Sequence, residues 1–137
     1  MKKKFKRDFA TLKDIFDFTS EFIDRNRLDD DIAFAVNLVI EELFTNMIKY
    51  HPGNPNDILI NISKEPDKLT ISLTDYDVEP FDITKTKEVN PDQNLEDRRI
   101  GGLGLYFVMK MMDNVTYEYK DRQSKITLTK RLRKEYV

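Results

Sequence analysis

The chain has 137 residues, 39% hydrophobic and 35% charged, with a net charge of −2: a globular composition long enough to bury a core, not that of a disordered segment. A nearly balanced charge gives no reason to expect nucleic acid or an anionic membrane as a direct partner. The absence of cysteine excludes disulfides, thiolate metal sites and cysteine nucleophiles, which suits a cytoplasmic protein.

The start is basic, with Lys2, Lys3, Lys4, Lys6 and Arg7. No unbroken apolar stretch follows, so neither a signal peptide nor membrane insertion is expected. Residues 4–9 suggest a short strand carrying Phe5 and Phe9. From Thr11 the period turns helical: Leu12, Ile15, Phe16, Phe18, Thr19, Phe22 and Ile23 mark one face, with Thr11 as N-cap and Asp14 in the first turn. This helix should fade near Asn26. Asp29, Asp30 and Asp31 then supply a cap and first-turn acids for a second helix over 30–50. Ile32, Val36, Val39, Ile40, Leu43, Phe44 and Met47 make it apolar over a wide arc, so it should be buried on more than one side. The Pro-Gly-Asn-Pro run at 52–55 stops it.

Two alternating runs follow, one with Ile58, Ile60 and Ile62, the other with Leu69, Ile71 and Leu73. They are joined by a hairpin at 65–68. Residues 83–99 are polar and contain Pro91, and they read as a long loop or lid. A third helix is expected over 103–112, with Leu105, Val108, Met109 and Met112 in the core. Val115, Tyr117 and Tyr119 alternate next, then a turn at 121–124, then Ile126 and Leu128. Runs of this kind predict an α+β two-layer sandwich: a mixed, mainly antiparallel sheet covered by helices, within one domain over 1–137.

Three groups of residues can carry chemistry. Glu42 and Asn46 stand i,i+4 on one face of the second helix, with Glu41 turned about a hundred degrees away. An amide oxygen suits a hard divalent cation, and a neighbouring carboxylate can take a proton from an attacking hydroxyl. Polar residues on the wet edge of an amphipathic helix are the plain alternative. Asp75 ends an apolar strand, where a carboxylate can accept from an amino-substituted purine. Asp77, Glu79 and Asp82 crowd nearby and read more simply as an exposed turn. Gly101, Gly102 and Gly104 are three of the four glycines, at a loop-to-helix entry able to aim backbone N–H groups at phosphate. Arg98 and Arg99 precede them. The entry lacks the ending of a P-loop, and a tight loop that docks a helix remains open. His51, the single histidine, is expected to cap the helix or face solvent.

Taken in order, these segments resemble the GHKL, or histidine-kinase-like (Bergerat), ATPase fold, and within it the anti-sigma-factor serine kinases. VIEELFTNMIK at 39–49 looks like the N box, LTDYDVEPFD at 73–82 like the G1 region, and GGLGLYFV at 101–108 like the G2 box. The resemblance implies Glu42 as the catalytic carboxylate and Asn46 as the Mg²⁺ ligand. It implies Asp75 as the adenine acceptor and 83–99 as an ATP lid. Lys49, Asp77, Arg98, Arg99, Gly101, Gly102, Leu103, Gly104, Leu105 and Thr127 complete the implied nucleotide contacts. It further implies ATP and Mg²⁺ as cofactors and phosphorylation of a serine on an anti-anti-sigma (STAS-like) partner. Binding of a sigma factor and a homodimer are implied as well.

The chain departs from the family pattern at three places. Asp77 stands where the G1 region has glycine, and its side chain is expected to crowd adenine, so that Asp77→Gly should tighten binding. Tyr50 replaces the histidine often found four residues after the asparagine. The segment before Thr127 lacks the usual glycine. Two alternatives therefore stay open: a catalytically weak or inactive protein-binding module of a sigma pathway, and a standalone ATP-gated switch.

Overall fold

The computed structural model describes residues 1–80 and 102–132. Five strands form one sheet in the order β1-β2-β3-β5-β4, and every pairing is antiparallel. β1 is Lys2–Phe5, β2 Ile58–Glu65, β3 Lys68–Tyr76, β4 Asn114–Lys120 and β5 Gln123–Arg131. Helices α1 (Leu12–Arg25), α2 (Asp30–Tyr50) and α3 (Gly102–Met111) share a core with the sheet.

Alternation along the strands decides which side chains enter that core. Ile58, Ile60 and Ile62 of β2, Leu69, Ile71 and Leu73 of β3, and Ile126 and Leu128 of β5 are all buried. Their alternate neighbours Asn61, Ser63, Thr70, Thr127 and Thr129 lie on the other face. Against the apolar face lie Ile15, Phe18 and Phe22 of α1 and Val36, Val39, Ile40, Leu43 and Phe44 of α2. Leu105 and Val108 of α3 and the adjoining Met112 complete the layer. The wide apolar arc of α2 is therefore buried as its sequence predicts.

Local chemistry sets the ends of the helices. Asp29 is extended and its Oδ1 accepts from the Ile32 N–H at 2.8 Å, the expected cap of α2. At α1 the cap lies elsewhere. Thr11 is already helical and makes no side-chain cap bond, because a 3-10 turn at Phe9–Thr11 leads into the helix. Asp8 caps that turn instead, accepting from the Ala10 N–H at 2.9 Å. β1 accordingly ends at Phe5, and Phe9 is exposed outside any strand. At the other end of α1, Arg27 adopts φ +50°, with Arg27 N–H bonded to Asp24 O and Leu28 N–H to Ile23 O. That is a Schellman stop one residue beyond Asn26. Phe16, placed on the apolar face of the first helix, and Met109, expected in the core, are both exposed.

Both hairpins turn in two residues. Glu65 pairs with Lys68 across Pro66-Asp67, and Lys120 with Gln123 across Asp121-Arg122. Asp121 and Arg122 have φ of 52° and 62°, as a two-residue turn matched to the sheet twist requires.

Candidate nucleotide site

A pocket opens between the C-terminal half of α2 and the ends of β3, β4 and β5. Its walls are Leu43, Asn46, Met47, Tyr50 and His51 on the helix side and Asp75, Tyr117, Ser124 and Ile126 on the sheet side. Its enclosed part is small, about 40 Å³, and its mouth is open to solvent.

Two polar atoms define its chemistry. The Asn46 side chain is almost fully buried and its Nδ2 donates to the Glu42 carbonyl one turn back, at 2.5 Å. That bond fixes which end of the amide is oxygen, since a carbonyl can only accept. Asn46 Oδ1 is left buried without a partner. Asp75 is also buried. Its Oδ1 accepts from Arg7 Nη2 and from the Tyr76 N–H, and its Oδ2 has no partner. Among the described residues these are the two buried side-chain polar atoms left unsatisfied, and both belong to residues lining one pocket. Buried acceptors are normally bonded, so two orphans at one pocket point to a ligand that satisfies them. An amide oxygen held this way fits a hard cation such as Mg²⁺.

Glu42 stands one turn before Asn46, and the α2–α3 packing brings it onto Gly104. A Cβ built at Gly104 would fall inside the Glu42 carboxylate. The absence of a side chain at Gly104 is thus what lets the Glu42 carboxylate lie against the α3 backbone. Burial, and then the charge of Glu41, push the Glu42 carboxyl above its usual value, with Lys49 acting in the opposite direction. A carboxylate made more basic in this way is better matched to proton abstraction.

The remaining expected residues divide. Gly102 and Leu103 open α3. Leu105 turns its side chain into the core. Lys49 is exposed and does not line the pocket. Thr127 lies on the opposite sheet face, because strand parity puts Ser124 and Ile126 inward. Ser124, paired directly with Asp75, is the β5 hydroxyl at the pocket. Asp77 does not crowd the pocket either. Its side chain is exposed and bonds Arg122 Nε at 2.8 Å, while Glu79 takes Arg122 Nη1 at 2.9 Å. The backbone at Asp77 has φ +56°, a left-handed conformation in which glycine is at ease. Arg98, Arg99, Gly101 and the 83–99 segment lie outside the described residues.

His51 caps α2 as expected, its N–H bonded to Met47 O, yet it lines the pocket rather than facing solvent. Burial lowers its pKa, and the nearby Asp75 charge partly opposes this. Tyr50, noted in the sequence only as a departure from the N box, and Ser124, assigned there to a turn, are also wall residues. Helical spacing from Asn46 and parity with Ile126 were the signals that carry them.

A model of the histidine kinase-like ATPase domain matches residues 5–130. The chain belongs to the histidine kinase-like ATPase family. Within the family it is similar to serine-protein kinase RsbW of Staphylococcus aureus strain JH9. The two are 37% identical over 114 residues, which cover 79% of this chain and 70% of the relative. RsbW of the bovine strain RF122 of the same species is 36% identical over the same length. These matches set the chain beside the anti-sigma-factor serine kinases of the ATPase family. The SiaB–SiaC complex from Pseudomonas aeruginosa contains a chain of the same fold, at a TM-score of 0.64 and 14% identity, covering 96% of this chain and 88% of that one. Among the described residues no helix is long and apolar enough to cross a membrane.

Proposed function

We propose that this chain binds ATP with Mg²⁺ in the α2–β3–β5 pocket and phosphorylates a serine on an anti-anti-sigma partner of the STAS type. The two unsatisfied acceptors, Asn46 Oδ1 and Asp75 Oδ2, are the observation that carries the reading. ATP with Mg²⁺ supplies the phosphoryl group and a counter-charge for it. The chain supplies the rest. Asp75 Oδ2 accepts from an exocyclic amino group. Asn46 Oδ1, aimed by its Nδ2 bond, holds the cation. Glu42 takes the proton of the incoming hydroxyl, with its raised pKa favouring that role. The likeness to a serine-protein kinase supports serine as acceptor. A homodimer and a sigma factor as second ligand belong to the same proposal.

The test supplies ATP, Mg²⁺ and a purified anti-anti-sigma protein and reads phosphoserine by mass spectrometry. Transfer abolished by Glu42→Ala supports the proposal. An unmodified partner, together with no ATP binding by calorimetry, refutes it. A module that binds its partner without catalysis loses its main ground at Asp77, whose side chain turns away from the pocket to Arg122. Phosphate release without any protein acceptor would instead identify a standalone ATP-gated switch.

A further inference from the structure

Asp75 is held from behind by a residue far from it in sequence. Arg7 follows β1, and its side chain is 4% exposed against 1% for that of Asp75. Its guanidinium makes three bonds to three separate segments. Nε donates to Asn56 O at 3.3 Å, Nη1 to Met47 O at 3.0 Å, and Nη2 to Asp75 Oδ1. Met47 is in the last turns of α2, Asn56 is on the approach to β2, and Asp75 is near the end of β3. Arg7 itself does not line the pocket.

Two consequences follow from this geometry. A carboxylate buried this deeply is costly unless its charge is balanced, and Arg7 is the balancing cation. The guanidinium and the Tyr76 N–H also occupy Oδ1, so Oδ2 alone faces a ligand. Asp75 is thereby fixed as a pure acceptor with one orientation. An exocyclic N–H can pair with it, whereas a carbonyl at the same place would set oxygen against oxygen. The planar fork of arginine spreads its donors over three nitrogens and so reaches the three acceptors together, whereas an ammonium offers its donors from a single nitrogen.

We propose that Arg7 is a positioning residue that sets base selectivity: by clamping Asp75 Oδ1 it makes the pocket favour a 6-amino purine over a 6-oxo purine. This rests on the ATP-site reading above and adds a residue to it. The test measures affinities of the full chain for ATP, inosine triphosphate and inorganic tripolyphosphate by calorimetry. It compares wild type, Arg7→Met, Arg7→Lys and Asp75→Asn. Wild type should prefer ATP. Arg7→Met should reduce the ATP-to-ITP ratio by roughly tenfold or more, the scale of a lost charge-assisted hydrogen bond. Its tripolyphosphate affinity should stay within about twofold, because that ligand has no base and the cation end of the pocket is untouched. Arg7→Lys keeps the charge and most of the stem, so it should fold and show an intermediate ratio. Adding Arg7→Lys to Asp75→Asn should leave the ratio of the single Asp75→Asn variant unchanged.

A purely structural role predicts that all three ligands weaken together at constant ratio, and that result in folded Arg7→Lys or Arg7→Met protein would overturn the proposal. An effect of Arg7→Lys that persists undiminished in the Asp75→Asn background would overturn it as well. Failure of wild type to bind any of the ligands would instead remove the ATP-site reading itself, and the Arg7 role with it.

Discussion

Replacing Gly104 by alanine separates catalysis from folding. Gly104 lies inside α3, where alanine is favoured over glycine by about 0.8–1 kcal/mol. The new Cβ would overlap the Glu42 carboxylate, which is the far end of a flexible side chain on a half-buried position. Glu42 gives way before the helix does. Moving it off its preferred geometry costs about 0.5–1.5 kcal/mol. The two terms nearly cancel, so Gly104→Ala should melt within a few degrees of wild type. The displaced carboxylate should lose the contribution of a positioned base, roughly 10²- to 10⁴-fold in transfer rate. The assay combines a thermal melt, ATP calorimetry and single-turnover phosphoryl transfer for wild type, Gly104→Ala, Glu42→Ala and the double variant. The double variant should be no slower than Glu42→Ala, since both changes remove one group. Near-wild-type transfer by Gly104→Ala would refute the reasoning. An unfolded Gly104→Ala protein would do so too, because the constraint would then lie in helix packing.

Two further changes probe the same site. Glu42→Gln should raise Tm at pH 7 and above. The sign follows from the raised Glu42 pKa: its ionised form is disfavoured in the folded state, so stability is complete below the ordinary value of 4.5 and falls as pH rises through the folded value. The Tm difference should therefore shrink as pH is lowered toward 4.5. It should not exceed a few degrees, because the side chain is only half-buried and water screens it. Asp77→Gly should leave ATP affinity within about twofold of wild type, since the side chain it removes pairs with Arg122 on the surface. Easing a left-handed residue offsets loss of an exposed ion pair, so calorimetric stability should change by less than about 1 kcal/mol.

Much of the fold is legible in the sequence because local rules and tertiary packing agree. The bounds of α2 follow from Asp29 at one end and the proline–glycine run at the other, and its wide apolar arc demands burial on more than one side. The cap of α1 was less accessible. Thr11 and Asp14 form a plausible start, but a 3-10 turn moves the capping role to Asp8, and propensity does not distinguish the two. At the site, Glu42, Asn46 and Asp75 follow from helix spacing and a strand end. Thr127 was misplaced by motif where parity with Ile126 already points to Ser124. Arg7 carried no local signal at all. Its role arises from three partners that the chain brings together from positions 47, 56 and 75. Asp77 marks a different gap: a glycine position can be retained for its backbone angle while the side chain leaves the pocket, and only the φ of +56° with the Arg122 pair shows this.

The most direct test of the site is an ATP titration by calorimetry, with and without Mg²⁺, on wild type, Asp75→Asn and Asn46→Ala. Wild type should bind ATP, and more tightly with Mg²⁺ than without it. Asp75→Asn should lose affinity in both conditions, and Asn46→Ala should lose chiefly the Mg²⁺-dependent part. Wild-type binding that neither substitution alters would contradict the ATP-site reading, as would no binding at millimolar ATP.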